Sequence, residues 1–124
     1  MKISVYEFPS IYRVYAIVEL SEKESKLFRL LFGLSHSEVE KILSKFLLPK
    51  ARRWRWGIGI AHEEDEDVEF LHVSFEDFEL KEHVIEAYPS SLTIISSHSV
   101  GRAYELARSF VNYVLDVLGE SRPS

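Results

Sequence analysis

Apolar residues recur along this chain at two spacings, and the switches between them divide it into elements. Ile3, Val5, Tyr6 and Phe8 mark a first short strand, broken by a turn at Pro9-Ser10. Between Ile11 and Leu20, Tyr12, Val14, Ala16, Val18 and Leu20 share one parity, and Ile11, Arg13, Tyr15, Ile17 and Glu19 share the other. Both sets are apolar in the middle, which predicts a central strand.

The spacing then becomes helical. Ser21 with Glu24 three residues on is a capping box, and Leu27, Leu30, Leu31 and Leu34 follow at helical intervals. This predicts a helix over Ser21–Phe32, with Gly33 as its terminus. Ser35 with Glu38 repeats the box ahead of Val39, Ile42, Leu43, Phe46 and Leu47, a second helix that Pro49 stops. The same pair of helices admits a helix-turn-helix reading, but no third helix lies near enough in sequence to complete such a unit.

Strict alternation returns after Lys50. Trp54, Trp56, Ile58 and Ile60 take one face of a strand, while Arg53, Arg55, Gly57, Gly59 and Ala61 take the other. Glu63 to Asp67 is a like-charge run that must stay solvated, so it predicts a turn. A returning strand runs to Phe75, and pairing Ala61 with Asp67 places Trp56 opposite His72, Trp54 opposite Ser74, and Arg53 opposite Phe75. Arg52 then faces Glu76. Over residues 76–88, Leu80, Val84 and Tyr88 fit a helical stripe opened by Ser74 and Asp77, although the same residues also fit a strand. A short buried strand follows at Leu92–Ile95. Last comes a long helix whose stripe runs from Val100 through Ala103, Tyr104, Ala107, Phe110, Val111 and Val114 to Leu118, with Gly119 as its end.

Taking residues 76–88 as helix predicts an α+β fold. It would be a ferredoxin-like split β-α-β sheet with an added N-terminal strand and a long C-terminal helix. The domain would cover residues 1–118, with 119–124 as a frayed tail. Taking them as strand predicts instead a curved antiparallel sheet gripping the C-terminal helix, a shape able to enclose a small ligand.

Composition narrows the chemistry. The chain has 124 residues and no cysteine, so thiolate metal sites, disulfides and cysteine nucleophiles are excluded. Its apolar runs fall well short of the roughly 20 residues that cross a membrane, so a cytoplasmic domain without membrane attachment is expected. The net charge of -5 conceals an asymmetry: residues 1–62 hold 11 basic and 6 acidic residues, and residues 63–124 hold 4 basic and 14 acidic. Such polarity suits a partner, or a second copy, carrying the matching pattern.

Three sets of residues carry the functional candidates. Lys50, Arg52, Arg53 and Arg55 form a patch suited to RNA or DNA, with Phe75 on the sheet face of Arg53 and Arg55, because arginine reaches phosphates while rings stack on bases. The C-terminal helix is expected to compete for that face. His72, Ser97, His98 and Ser99 are candidates for a small ligand or an anion near a helix start. Arg102, Glu105 and Arg108 project from the last helix as candidate contacts for a protein partner. The five histidines are not spaced as metal ligands on a helix, and no G-x-S-x-G elbow accompanies the serines, so neither a cofactor nor a catalytic residue is assigned. By elimination, the leading expectation is a non-catalytic interaction domain, self-associating or part of a larger complex.

Overall fold

Two hydrogen-bonded serine caps set the middle of the first half. In the computed structural model, which describes residues 1–120, Ser21 accepts from the Glu24 amide at 3.1 Å and Ser35 from the Glu38 amide at 3.2 Å. Each glutamate returns a bond to its serine's own N–H, so both predicted capping boxes are present. The first helix is shorter than expected. α1 spans Glu22–Phe28 and tightens into a 3-10 turn over Arg29–Gly33, while α2 spans His36–Leu47. Val39, Leu43, Phe46 and Leu47 of α2 are buried, as their spacing requires.

Six strands surround these helices in sequence: β1 (Lys2–Phe8), β2 (Arg13–Glu19), β3 (Ala51–Glu63), β4 (Glu66–Asp77), β5 (Glu82–Ala87) and β6 (Ser91–Ser96). They form one antiparallel sheet in the order β1-β2-β6-β5-β4-β3. This order replaces the ferredoxin-like expectation. β3 to β6 are consecutive neighbours, and the β1–β2 hairpin closes onto β6.

The helix expected over residues 76–88 is absent. β4 continues to Asp77, residues 78–81 turn, and β5 returns. The cause is local. Asp77 Oδ1 accepts from the amides of Glu79 and Lys81, both at 2.9 Å, and Leu80 takes a left-handed φ of 64°. An aspartate that bonds its own following amides favours a turn over a helix.

The β3–β4 register also differs, by one residue. Glu63 pairs with Glu66 around a two-residue turn at 64–65, which places Ala61 opposite Val68, Trp56 opposite Val73 and Trp54 opposite Phe75. A one-residue slip moves every side chain of a strand to the other face. Leu71, Val73 and Phe75 therefore join the tryptophans on the core side, and His72, Ser74 and Glu76 join the arginines outside.

α3 runs over Val100–Glu120, past the expected stop at Gly119, and lies against β1, β2 and β6 as well as α1 and α2. Residues 121–124, the rest of the expected frayed tail, lie outside the described residues. Ala103, Ala107, Phe110, Val111, Val114 and Leu118 are buried, joining Ala16, Val18, Leu92, Ile94 and α2 in one core. All three helices cover the Trp54 face of the sheet. The expectation that α3 covers the Arg53–Arg55 face is overturned: α3 packs on the opposite face with Ala16, Val18, Leu92 and Ile94, and the slip leaves His72, Ser74 and Glu76 beside the arginines.

Candidate functional site

The uncovered sheet face carries what remains of the basic patch. Arg53 and Arg55 stand on β3 with Ser74, Glu76 and His72 beside them on β4, around a groove of about 500 Å³. The groove is self-neutralised to a large extent. Glu76 accepts from Arg52 Nη1 at 3.0 Å and from Arg53 Nη2 at 3.4 Å, and Arg55 Nε donates to Ser74 Oγ at 3.2 Å. A register shift between Ala51 and Arg53 lets both Arg52 and Arg53 reach one carboxylate, so the expected Arg52–Glu76 pair forms despite the slip.

Other members of the predicted patch are elsewhere. Phe75 is only 6% exposed and faces the core, so it offers no ring for stacking on the arginine face. Lys50 sits at the end of α2, where its Nζ donates to the Phe46 carbonyl at 3.2 Å and lies 4.1 Å from the Phe46 ring centroid. Burial there holds its ammonium below the usual lysine range. His72, expected opposite Trp56 and pointing inward, pairs with Gly57 on the outer face, with Nδ1 3.8 Å from Glu86. Trp56 instead meets His36 of α2 edge-on at 5.6 Å.

A second cluster gathers where the β4–β5 turn meets the start of α3, and sequence spacing alone missed its centre. His83 is 5% exposed on the core side of β5, directly opposite Ser96 on β6, which is 0% exposed. His83 Nδ1 lies 2.7 Å from Ser96 Oγ, and Nε2 lies 2.8 Å from Asp77 Oδ2. The His83 ring stacks between Phe75 at 4.8 Å and His98 at 6.4 Å. Burial is the main influence on His83 and favours its neutral form, against the pull of Asp77 and with the help of nearby His98 and Arg102. Burial also resists ionisation of Asp77, but bonds from His83, Lys81 and Glu79 outweigh it and hold the carboxyl below its usual range. A neutral imidazole with its proton on Nε2 donates to Asp77 and accepts from the Ser96 hydroxyl, satisfying all three groups.

This Ser-His-Asp chain lacks the access nucleophilic catalysis requires. The serine is sealed in the core, so its oxygen cannot meet a substrate carbonyl. What the chain does is tie β4, β5 and β6 together at one end of the sheet. The signal that could have found it was parity. His83 and Ser96 are polar residues at core positions of otherwise apolar strands, and such residues need partners.

The predicted ligand residues surround this cluster but are committed to structure. Ser97 Oγ accepts from the Glu82 amide at 2.9 Å, and Ser99 caps α3 by accepting from the Arg102 amide at 3.3 Å. His98 Nε2 lies 3.2 Å from Glu79, which also binds Arg102 at 3.3 Å. Beside them is a cavity of about 250 Å³ between Lys50, Phe78, Arg102 and Leu106. Arg108 is bonded at 3.0 Å to Glu105, one helical turn away, so the expected contacts on α3 are exposed but partly paired with each other.

The third feature is the edge of the sheet. Among the described residues, β3 has a partner only on its β4 side, so its other side is free over thirteen residues. Hydrogen-bonded and non-bonded pairs alternate along an antiparallel ladder, and Glu63 with Glu66 must be a bonded pair because it closes a two-residue turn. Odd positions therefore spend their amides on β4. Trp54, Trp56, Ile58, Ile60 and His62 hold theirs toward the free edge.

Comparison with known proteins gives no matching family model and no significant match among curated proteins or solved structures. Among the described residues, no helix is long and apolar enough to cross a membrane.

Proposed function

We propose that the chain is a non-catalytic assembly domain that associates with a second copy of itself through the β3 edge of its sheet. The observation that carries this reading is β3. Between Arg55 and His62 its edge is uncharged and free of proline, and Ile58 and Ile60 are 41% and 58% exposed. Unpaired strand edges are usually short, charged or covered, because they otherwise recruit another strand. Here only the two ends of the edge carry charge.

Sedimentation velocity over a wide dilution series tests the reading. A concentration-dependent dimer supports it, and a strict monomer at every concentration overturns it.

The nucleic-acid reading keeps one favourable observation, the accessible Arg53 and Arg55 beside the 500 Å³ groove. It loses Phe75 to the core and Lys50 to α2, and shares its arginines with Glu76 and Ser74. Salt-sensitive binding to RNA or DNA that disappears on Arg53→Gln with Arg55→Gln would favour it over assembly.

A further inference from the structure

The β3–β4 hairpin is electrically polar from end to end. Arg52, Arg53 and Arg55 occupy its base, whereas Glu63, Glu64, Asp65, Glu66 and Asp67 occupy its tip. Ten residues separate Arg53 from Glu63 on one strand, about 33 Å at the usual antiparallel rise, so the two ends cannot neutralise each other within one chain. A parallel alignment of two such edges would set base beside base and tip beside tip. An antiparallel alignment sets each base beside the other copy's tip.

We propose that two copies join β3 to β3 in antiparallel register about a two-fold axis at Ile58. This rests on the assembly reading above and specifies its geometry. Three independent requirements meet at this register. First, the outward amides belong to even-numbered positions, so bonded pairs across the new seam must join even to even; an axis at Ile58 pairs Ile58 with Ile58, Trp56 with Ile60 and Trp54 with His62. Second, it sets Arg53 opposite the second copy's Glu63, two odd positions whose side chains share the outer face. Third, the exposed Ile58 and Ile60 gain apolar neighbours on the helix-covered side. The result is a continuous twelve-stranded sheet in which each acidic tip lies beside the other copy's arginine groove. Assembly and polyanion binding would then compete for Arg53.

Symmetry makes the test stringent. Arg53→Glu alone opposes like charges at both equivalent contacts, and so does Glu63→Arg alone. An equimolar mixture of the two variants restores both contacts in a mixed dimer. Sedimentation should show each variant self-associating at least about tenfold more weakly, with the mixture recovering to within a fewfold of the parent. Circular dichroism of each variant confirms that it is folded.

Position is read separately. The chain has no cysteine, so Ile58→Cys introduces a single thiol. At the proposed axis two such thiols belong to a bonded pair with Cα atoms about 5.5 Å apart, within disulfide range, and mild oxidation should link them. Thr93→Cys, in the middle of the uncovered face, should stay unlinked. A dimer that ignores the charge exchange and fails to link through Ile58→Cys overturns the register while leaving assembly standing, whereas one that links through Thr93→Cys overturns the edge reading as well. A chain that is monomeric throughout overturns both, and one that binds RNA through Arg53 without dimerising replaces them with the nucleic-acid reading.

Discussion

The ring of Phe70 lies across Gly59. The two are cross-strand partners on the uncovered face, and a Cβ placed on Gly59 would come within 2.6 Å of the Phe70 ring. Phe70 in turn stacks on Tyr88 at 5.1 Å, extending the ring contact from β3 across β4 to the residue that follows β5. An aromatic side chain laid over a strand glycine shields backbone that would otherwise be bare.

The two glycines of β3 should therefore respond oppositely to alanine. Gly59→Ala displaces Phe70 from its stack and should cost about 1 kcal/mol, the low end for overpacking because a ring tip can swing aside. Gly57 has nothing within 4 Å of an added Cβ, so Gly57→Ala should be neutral or stabilise by up to about 1 kcal/mol. Urea denaturation midpoints of the two variants give the comparison.

Acid should weaken the fold through His83. Its folded-state pKa lies below the ordinary 6.5, so the unfolded chain takes up a proton that the folded chain refuses. The stability is fully present above 6.5 and declines as pH falls below it. Asp77, held below its ordinary 3.8, adds a second loss at more acidic pH. His83→Gln should flatten the first decline in a Tm-against-pH profile, while lowering Tm near neutrality because Asp77 and Ser96 lose their shared partner, a cost of about 1–3 kcal/mol.

Base should act through Tyr113. Its hydroxyl donates to the Ile42 carbonyl at 2.8 Å, joining α3 to α2, and burial raises its ionisation above the ordinary 10.0. The unfolded chain therefore ionises first, and stability falls as pH rises past 10.0. Tyr113→Phe should cost about 1 kcal/mol at neutral pH and lessen the alkaline decline, as read by chemical denaturation at both pH values.

Ser35→Ala removes the acceptor for the Glu38 amide and should cost about 1 kcal/mol. Ser37→Ala, exposed within the first turn of the same helix, should leave stability within about 0.5 kcal/mol, measured by thermal denaturation.

These residues also show what the sequence made legible. Both serine caps, the buried stripe of α3 and the central position of β2 follow from local spacing, because the causes of a cap or an amphipathic helix lie within a few residues. Asp77 shows the limit. As a residue type it suits a helix start or a turn equally, and the choice depended on Leu80 accepting a left-handed backbone that few leucines adopt. The hairpin register depended on a single residue of turn length among five consecutive acids, where no hydrophobic pattern marks the turn. That slip carried Phe75 off the arginine face and His72 onto it. The His83–Ser96 pair needed the register of two strands whose partners lie thirteen residues apart.

The neighbouring of β2 and β6 inside the sheet sets an order of events. Val18 pairs with Leu92 and Ala16 with Ile94, so this interior seam joins residues from the first sixth of the chain to residues from its last third. Until β6 is available, the β1–β2 hairpin has an open inner side and α3 has no complete surface to cover. The local hairpins and capped helices can form early, but the seam must close a long loop before its contacts repay the lost entropy. Refolding should thus be slower than for a helical protein of this size, and limited by one late joining step.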